Sequence, residues 1–309
     1  MEDLDRAEER LANIRTVEPI LGAMRTISMG SWQAALKQGQ RIQQYEARLA
    51  NLLPTLLPHL PPQGDRSSLP PGRYLPLAPL TAQERGQIER KIVVAIGTER
   101  GLVGRFNIII AEQVKAYLDR ESTAEVELAV LGGRLRRLLQ QRGHSMTWLG
   151  ALSVTALPTF ERASELAQHW LAQYEAQELD QVDLLYNAYR GVDRYQPTVV
   201  RVIPPLLAAT DIGNREVSLW PPPIIETDPL SLYIQVVQQQ IALHLYRVML
   251  DSAASEHSKR YQLMEVASQN VERLMDELML VIQTARQQEI TQEMQELAIG
   301  AGMLTRSKS

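Results

Sequence analysis

Two long stretches of helical periodicity bracket a middle that switches between short apolar runs and amphipathic segments. From Leu230 to Ile299 the chain runs seventy residues without a glycine or a proline. At 1.5 Å per residue a helix of that length reaches roughly 100 Å. Ordinary globular helices average about 11–12 residues, so such a helix cannot be buried along its length by a chain of this size. Ala267, Val271, Leu274, Leu278, Val281 and Ala285 step by four and three, the spacing of a coiled-coil seam. Upstream, Tyr233, Val237, Ile241, Leu245 and Val248 form a second stripe. Between the stripes, ASEHSKRYQ is small and polar. Thr227 and Asp228 precede the run as candidate N-caps.

The N-terminal stretch mirrors this pattern. Val17, Ile20, Met24 and Ile27 keep helical spacing, with Ser31 and Ala34 continuing as small seam residues, and the pattern runs to about Leu52. Pro19 lies inside it. An interior proline removes one hydrogen bond, which predicts a bend or break near Val17–Pro19. Each terminal helix has a seam and no other evident mate in the chain, so an antiparallel pair is expected. The C-terminal helix is longer, and its far end needs another protein around it.

The middle reads differently. KIVVAIG from Lys91 is a buried-strand signal closed by glycine. A helix follows over about 107–119, then a strand at Val126–Gly133, a helix through Arg134–Arg142 and a weak strand near Met146–Leu149. Phe160–Gln177 reads as helix, and Val182–Tyr189 and Thr198–Pro205 as strands. This alternation predicts a small sheet of mostly parallel strands. The expected fold class is therefore α/β plus long helices: an antiparallel coiled coil of the N- and C-terminal helices with a central α/β domain. The expected division is a helix over 1–53, a proline-rich linker over 54–90, the α/β domain over 91–227 and the second helix over 228–309.

Composition narrows the function. The 309 residues contain no cysteine, which excludes disulfides, zinc–thiolate sites, iron–sulfur clusters and a thiol nucleophile. Charged residues make up 22% and apolar ones 45%, ordinary for a folded chain. A net charge of -4 argues against a nucleic-acid binder, since nothing neutralises phosphates at scale. No apolar run reaches the ~18–20 residues of a membrane span. The acidic start MEDLDRAEER is unlike a secretory signal.

Chemistry-bearing motifs are sparse. Gly97–Asn107, GTERGLVGRFN, sits between a strand and a helix, where a dinucleotide loop would lie. The glycines at 97, 101 and 104 do not make GxGxxG, and no acidic residue ends the next strand. The expectation is a structural turn, with Gly101 and Gly104 needed for backbone geometry. The alternative is a stand-alone α/β nucleotide-binding protein using the Gly97–Gly104 loop. No GxxxxGK[ST] occurs, and the five histidines show no metal-ligand spacing. Arg134, Arg136, Arg137 and Arg142 read as a solvated helix face. More informative is the long helix, where ASEHSKR and ARQQEITQE carry Arg260, Arg286, Gln287, Thr291 and Glu293. A helix gains most of its stability from packing, so these residues are expected to project and face a partner's loops.

Three segments in order resemble the gamma subunit of the F-type ATP synthase, the central rotor shaft. They are RLANIRTVEPILGAMRTIS, IVVAIGTERGLVGRFN and the end from ASEHSKRYQLMEVASQNVERL through ARQQEITQEMQELAIGAG. YNAYRGVDRYQPTVVRVIPP is similar to a later strand pair of that family, and the likeness extends from about Asp5 to Leu304. The resemblance implies a non-catalytic subunit with no nucleotide, cofactor or metal of its own. Its partners would be the alpha and beta subunits of a surrounding ring, the epsilon subunit and the membrane rotor ring. It would sit peripherally at the cytoplasmic face of an energy-transducing membrane, coupling ion flow to ATP synthesis or hydrolysis by rotation. By matching positions, Met24 would face an acidic beta-subunit loop and Arg260 would lie near the same contact. Arg286 and Gln287 would hydrogen-bond a beta loop, extended by Thr291 and Glu293. Departures mark a divergent member, of the kind expected in an alternative ion-translocating ATPase. Pro19 and Gly22 replace usual first-helix residues, Val103 and Arg105 stand where the loop usually has cysteine and glycine, and the tail ends differently.

Overall fold

The structure is a computed structural model that describes residues 2–60, 90–121, 125–152, 157–204 and 224–300. Most of the proline-rich stretch and the tail after Gly300 lie outside the described residues. The chain falls into two compact units, Met29–Arg260 and Met1–Ser28 with Tyr261–Ser309.

The larger unit is built on a five-stranded sheet. Its strands are β1 (Arg90–Ile96), β2 (Glu125–Leu131), β3 (Thr147–Trp148), β4 (Gln181–Gly191) and β5 (Arg194–Ile203), in the order β3-β2-β1-β4-β5. All pairings are parallel except β4 with β5. The helices between strands are α3 (Phe106–Arg120), α4 (Gly133–Gln141) and α5 (Phe160–Glu175). The long helix α1 spans Glu2–Ala50, followed by the short α2 (Leu53–Leu56), and α6 spans Pro229–Gly300.

Both faces of the sheet are covered, which explains why β1 reads as an unbroken apolar run. Side chains alternate between faces along a strand. Ile92, Val94 and Ile96 join one core with Trp170 of α5 and with Tyr233, Val237, Ile241 and Leu245 of α6. Val93 and Ala95 point the other way, into a core with Ile110 and Val114 of α3 and Leu135 and Leu139 of α4. The first α6 stripe therefore packs into the sheet's core, with Ile42 of α1 against the same cluster. Its mate is not α1 alone, as the pattern implied. β5 starts four residues before the expected Thr198, because its ladder with β4 continues to Gly191↔Arg194. Asp228 caps α6, its Oδ2 accepting from the Ser231 backbone N–H (2.8 Å) and hydroxyl (2.7 Å). Pro229 takes the first helical position, where its missing N–H costs nothing.

In the smaller unit α1 continues through Pro19 without a break. Pro19 and Arg15 are exposed, so water can satisfy the Arg15 carbonyl that the proline leaves without its usual donor. The two helices run antiparallel, since Arg25 pairs with Glu265 (3.0 Å) while Glu8 pairs with Arg286 (2.6 Å). Ala7, Leu11 and Ile282 form a small core there, with Leu4, Met275, Leu278 and Met279 packed against it.

Candidate partner interface

The seam between the helices is centred about one position from the expected one, although Leu278 of the expected set does pack in it and Ala267, Val271 and Ala285 are half-buried. Val17, Ile20, Ile27, Leu274 and Val281 are 43–64% exposed. The contact is made instead by Leu4, Ala7 and Leu11 on α1, with Ser28 also buried at 2%. On α6 the covered positions are Met264, Ser268, Met275, Leu278 and Ile282. These sets step by three and four as a coiled-coil stripe does. Two adjacent stripes thus satisfy the same periodicity on each helix, and large apolar side chains of the second, Val17, Ile20 and Ile27 on α1 and Leu274 and Val281 on α6, face outward. Small residues such as Ala7, Ser28 and Ser268 lie inward, where they let the helices approach.

Met24 lies on the outward stripe of α1 and is half-buried. Arg286, Gln287, Thr291 and Glu293 are all exposed on α6. Arg286 donates from Nη2 to Glu8 Oε1. The Thr291 hydroxyl donates to the Gln287 carbonyl one turn earlier (2.7 Å), leaving the Gln287 amide outward. Glu8 lies opposite Arg286 and the described part of α1 starts at Glu2, so among the described residues α6 beyond about Gln292 has no α1 residue opposite it. Ile290, just before that point, and Met294 and Leu297 within it are 56–72% exposed and spaced by four and three. The sequence reading missed this stripe, although its spacing is visible in EITQEMQEL. Arg286, Gln287, Thr291 and Glu293 therefore form an exposed polar stretch of α6 beside an exposed apolar stripe, while Met24 lies near the Arg25–Glu265 pair, well away from them along the helices.

Arg260 differs. It belongs to the larger unit, where it is 6% exposed rather than projecting. Its Nη2 donates to Glu256 Oε1 (2.5 Å) one turn back, and its Nη1 lies 3.2 Å from His257 Nδ1. Ser252, Ala253, Ala254, Ser255, Glu256 and Ser258 are also buried. The small side chains that read as a weak seam let α6 be enclosed by its own unit. Burial pushes the Glu256 carboxyl up, against the pull of Arg260. Burial, with the Arg260 and Arg100 guanidinium groups, pushes the His257 imidazole down to about 4. A similar group lies at His244: Arg247 pairs with Glu46 of α1 (2.8 Å) and sits 3.1 Å from His244 Nδ1, and His244 is likewise down to about 4, chiefly by burial.

The glycine loop is filled by its own chain. The Thr98 N–H donates to Asn107 Oδ1 (3.0 Å), and Asn107 Nδ2 returns a bond to the Thr98 hydroxyl (2.8 Å). Glu99 Oε1 accepts from the Gly133 N–H at the start of α4 (2.9 Å). That carboxylate occupies a helix-start donor of α4, whereas the start of α3, into which the loop itself leads, has no side-chain cap. The tight approach is at Gly97 and Gly132. A Cβ on Gly97 would meet Leu135 Cβ at 2.3 Å, and one on Gly132 would meet the Gly97 carbonyl oxygen at 2.5 Å. Gly104 has φ 58, as expected of a required glycine. Gly101 has open space around it and no such constraint. Among the described residues no cluster of metal-ligating side chains occurs, and no helix is long and apolar enough to cross a membrane.

A family model described as ATP synthase matches residues 3–304. The chain is 27% identical to an ATP synthase gamma chain of Granulibacter bethesdensis over 313 aligned residues, covering 98% of this chain and 100% of that one. It is 29% identical to the ATP synthase gamma chain of Renibacterium salmoninarum, over 74% of this chain and 78% of the relative. Its fold is similar to a chain of the Euglena gracilis mitochondrial ATP synthase, solved as OSCP/F1/c-ring in rotational state 3. That match has a TM-score of 0.58 at 14% identity and covers 100% of this chain and 98% of the other. A central stalk/c-ring structure of the Tetrahymena thermophila mitochondrial ATP synthase matches with a TM-score of 0.55 at 18% identity, over 81% and 99% of the two chains.

Proposed function

Because the chain belongs to the ATP synthase gamma-chain family, we propose that it is the central shaft of an F-type ATP synthase. It turns inside a ring of alpha and beta subunits and carries rotation between that ring and a membrane rotor ring, beside an epsilon subunit. The observation that carries this reading is the antiparallel helix pair that buries one apolar stripe and leaves a second, with Ile20, Ile27, Leu274 and Val281, facing outward, and ends in a stretch of α6 with no described α1 residue opposite it. A pair that served only to hold itself together would bury Ile20, Ile27 and Val281. The chain contributes shape and contact, not chemistry: the ring subunits carry the nucleotide sites. It reaches the membrane only through its complex, on the cytoplasmic face.

The contact residues in this reading are Met24 on α1 and Arg286, Gln287, Thr291 and Glu293 on α6. Arg286 offers a planar fork of donors to carboxylates on a partner loop. Gln287 adds an amide beside it. Arg260 is not one of these projecting contacts, being buried in the larger unit and paired with Glu256 on its own helix. The Thr98–Asn107 bonds that engage the loop's own amide and the close packing at Gly97 speak against the nucleotide-binding alternative.

The test is co-expression with the cognate alpha and beta subunits, followed by size exclusion and an ATPase assay. Co-elution in one assembly, with hydrolysis that drops when Arg286 and Gln287 become Ala, supports the shaft and its contacts. A chain that never joins the ring and binds nucleotide alone overturns both.

A further inference from the structure

We propose that the β4–β5 turn is a torque clamp on α6, in which Asp193 holds Lys259 and Ser258 so that the helix cannot roll against the sheet. The proposal rests on the shaft reading. Apolar packing alone lets a helix roll or slide, because it is not directional. Directional contacts prevent this. Lys259 Nζ donates to Asp193 Oδ1 (2.5 Å), and the Asp193 N–H donates to the Ser258 hydroxyl (3.3 Å). One turn residue thus grips two consecutive helix residues from its side chain and its backbone.

The grip is at a telling place. Ser258 and Lys259 lie immediately before Arg260, where the larger unit ends along α6. The grip thus lies at the end of the larger unit's stretch of α6. Seven residues earlier, on the face shared with Ser258, Asp251 bonds the Tyr186 hydroxyl of β4. The turn itself is braced. The β4–β5 ladder runs from Val182↔Ile203 to Gly191↔Arg194. Tyr189 of β4 packs at a tilt against Trp32 of α1 (6.1 Å between centroids), and Tyr195 of β5 likewise against the buried Phe106 (5.1 Å). Asp193 holds φ 57, a conformation that Asp and Asn accept more readily than other side chains. Asp193, Ser258 and Lys259 are therefore positioning residues rather than partner contacts.

The test uses the complete membrane complex in sealed vesicles, assembled with Asp193→Asn or Lys259→Met. Asn keeps the turn, and Met keeps most of the apolar stem. Two quantities are read: ATP hydrolysis without a gradient, and ions pumped per ATP as the gradient builds. The expected result is unloaded hydrolysis at the wild-type rate, with pumping per ATP falling about threefold near the limiting gradient, the scale of one modest ion pair. The charge swap D193K/K259D recovers pumping. Should the swap fail to fold, Asp193→Cys with Lys259→Cys serves instead: this chain has no cysteine, and joining the pair with a short bis-maleimide restores pumping that the unlinked pair lacks. Wild-type pumping in both single variants at every gradient overturns the clamp, as does a loss that only parallels unloaded hydrolysis. A wild-type chain that supports no pumping overturns the shaft reading, and the clamp with it.

Discussion

Arg286 of α6 donates to Glu8 of α1 at 2.6 Å, across 278 positions of sequence. Both side chains are largely exposed, at 62% and 42%. An exposed pair of this kind contributes about 0–1 kcal/mol. Arg286→Ala should therefore barely shift the melting temperature of the chain, yet lower the hydrolysis of the assembled ring. Glu8→Ala separates the two roles, since it removes the pair and leaves the guanidinium free for a partner carboxylate. Ring activity retained in Glu8→Ala but lost in Arg286→Ala locates the function in the partner contact. Equal losses in both would place it in the helix pair.

The displaced seam gives a second expectation. Ile282 and Leu11 are core residues of the smaller unit, and Leu274 and Val281 are not. Ile282→Ala should cost on the order of 2–4 kcal/mol in that unit, for a deleted buried side chain and its cavity. Leu274→Ser and Val281→Ser should leave thermal unfolding of the chain nearly unchanged and weaken its assembly with the ring. A melting temperature that falls for Val281→Ser and holds for Ile282→Ala would return the seam to the position that hydrophobicity alone implied.

That contrast marks how far the sequence could be read. The sheet was legible because β1 is apolar on both faces and β4 on one, both bounded by turns, and α6 because nothing in seventy residues interrupts it. The seam was not, because hydrophobic periodicity cannot tell the stripe that mates within the chain from a neighbouring stripe left for a partner. Val17, Ile20 and Ile27 look like core until Ala7, Leu11 and Ser28 are seen to be the buried set. Arg260 was misplaced for a related reason. Its charge read as exposure, whereas Glu256 one turn back supplies the partner that lets it be buried.

In the glycine loop the constrained positions are separable by substitution. Gly97→Ala places a Cβ 2.3 Å from Leu135 Cβ and 2.8 Å from Asn107 Oδ1. Backbone must shift there, at the start of the sheet's helix-covered face. Such overpacking costs about 1–3 kcal/mol or more. Gly101→Ala meets nothing within 4 Å and should fold as the parent does. Chemical denaturation of the two variants distinguishes them. Equal midpoints would remove the tight-approach account of this loop.

The two buried histidines should give the acid limb of stability a measurable slope. His244 is held down to about 4 by burial and Arg247, and His257 to about 4 by burial, Arg260 and Arg100. An unfolded histidine titrates near 6.5. Between about 4 and 6.5 the unfolded chain therefore binds more protons than the native one, so stability falls as pH falls through that window. The histidine contribution is fully present above about 6.5 and is lost by about 4. Glu46 and Glu256, which face these histidines through the arginines, and Asp251 nearby are pushed up by burial and act in the opposite sense: they favour the native state at low pH and lose that as pH rises. The wild-type slope is the difference of the two sets. Replacing His244 and His257 with Asn keeps an acceptor for each arginine and removes one side of that difference. Unfolding free energies of the intact chain at several pH values between 4 and 6.5 should then rise less steeply with pH in the double variant, by somewhat under one proton per histidine. Identical slopes would mean that both imidazoles are as accessible to protons in the native chain as in the unfolded one.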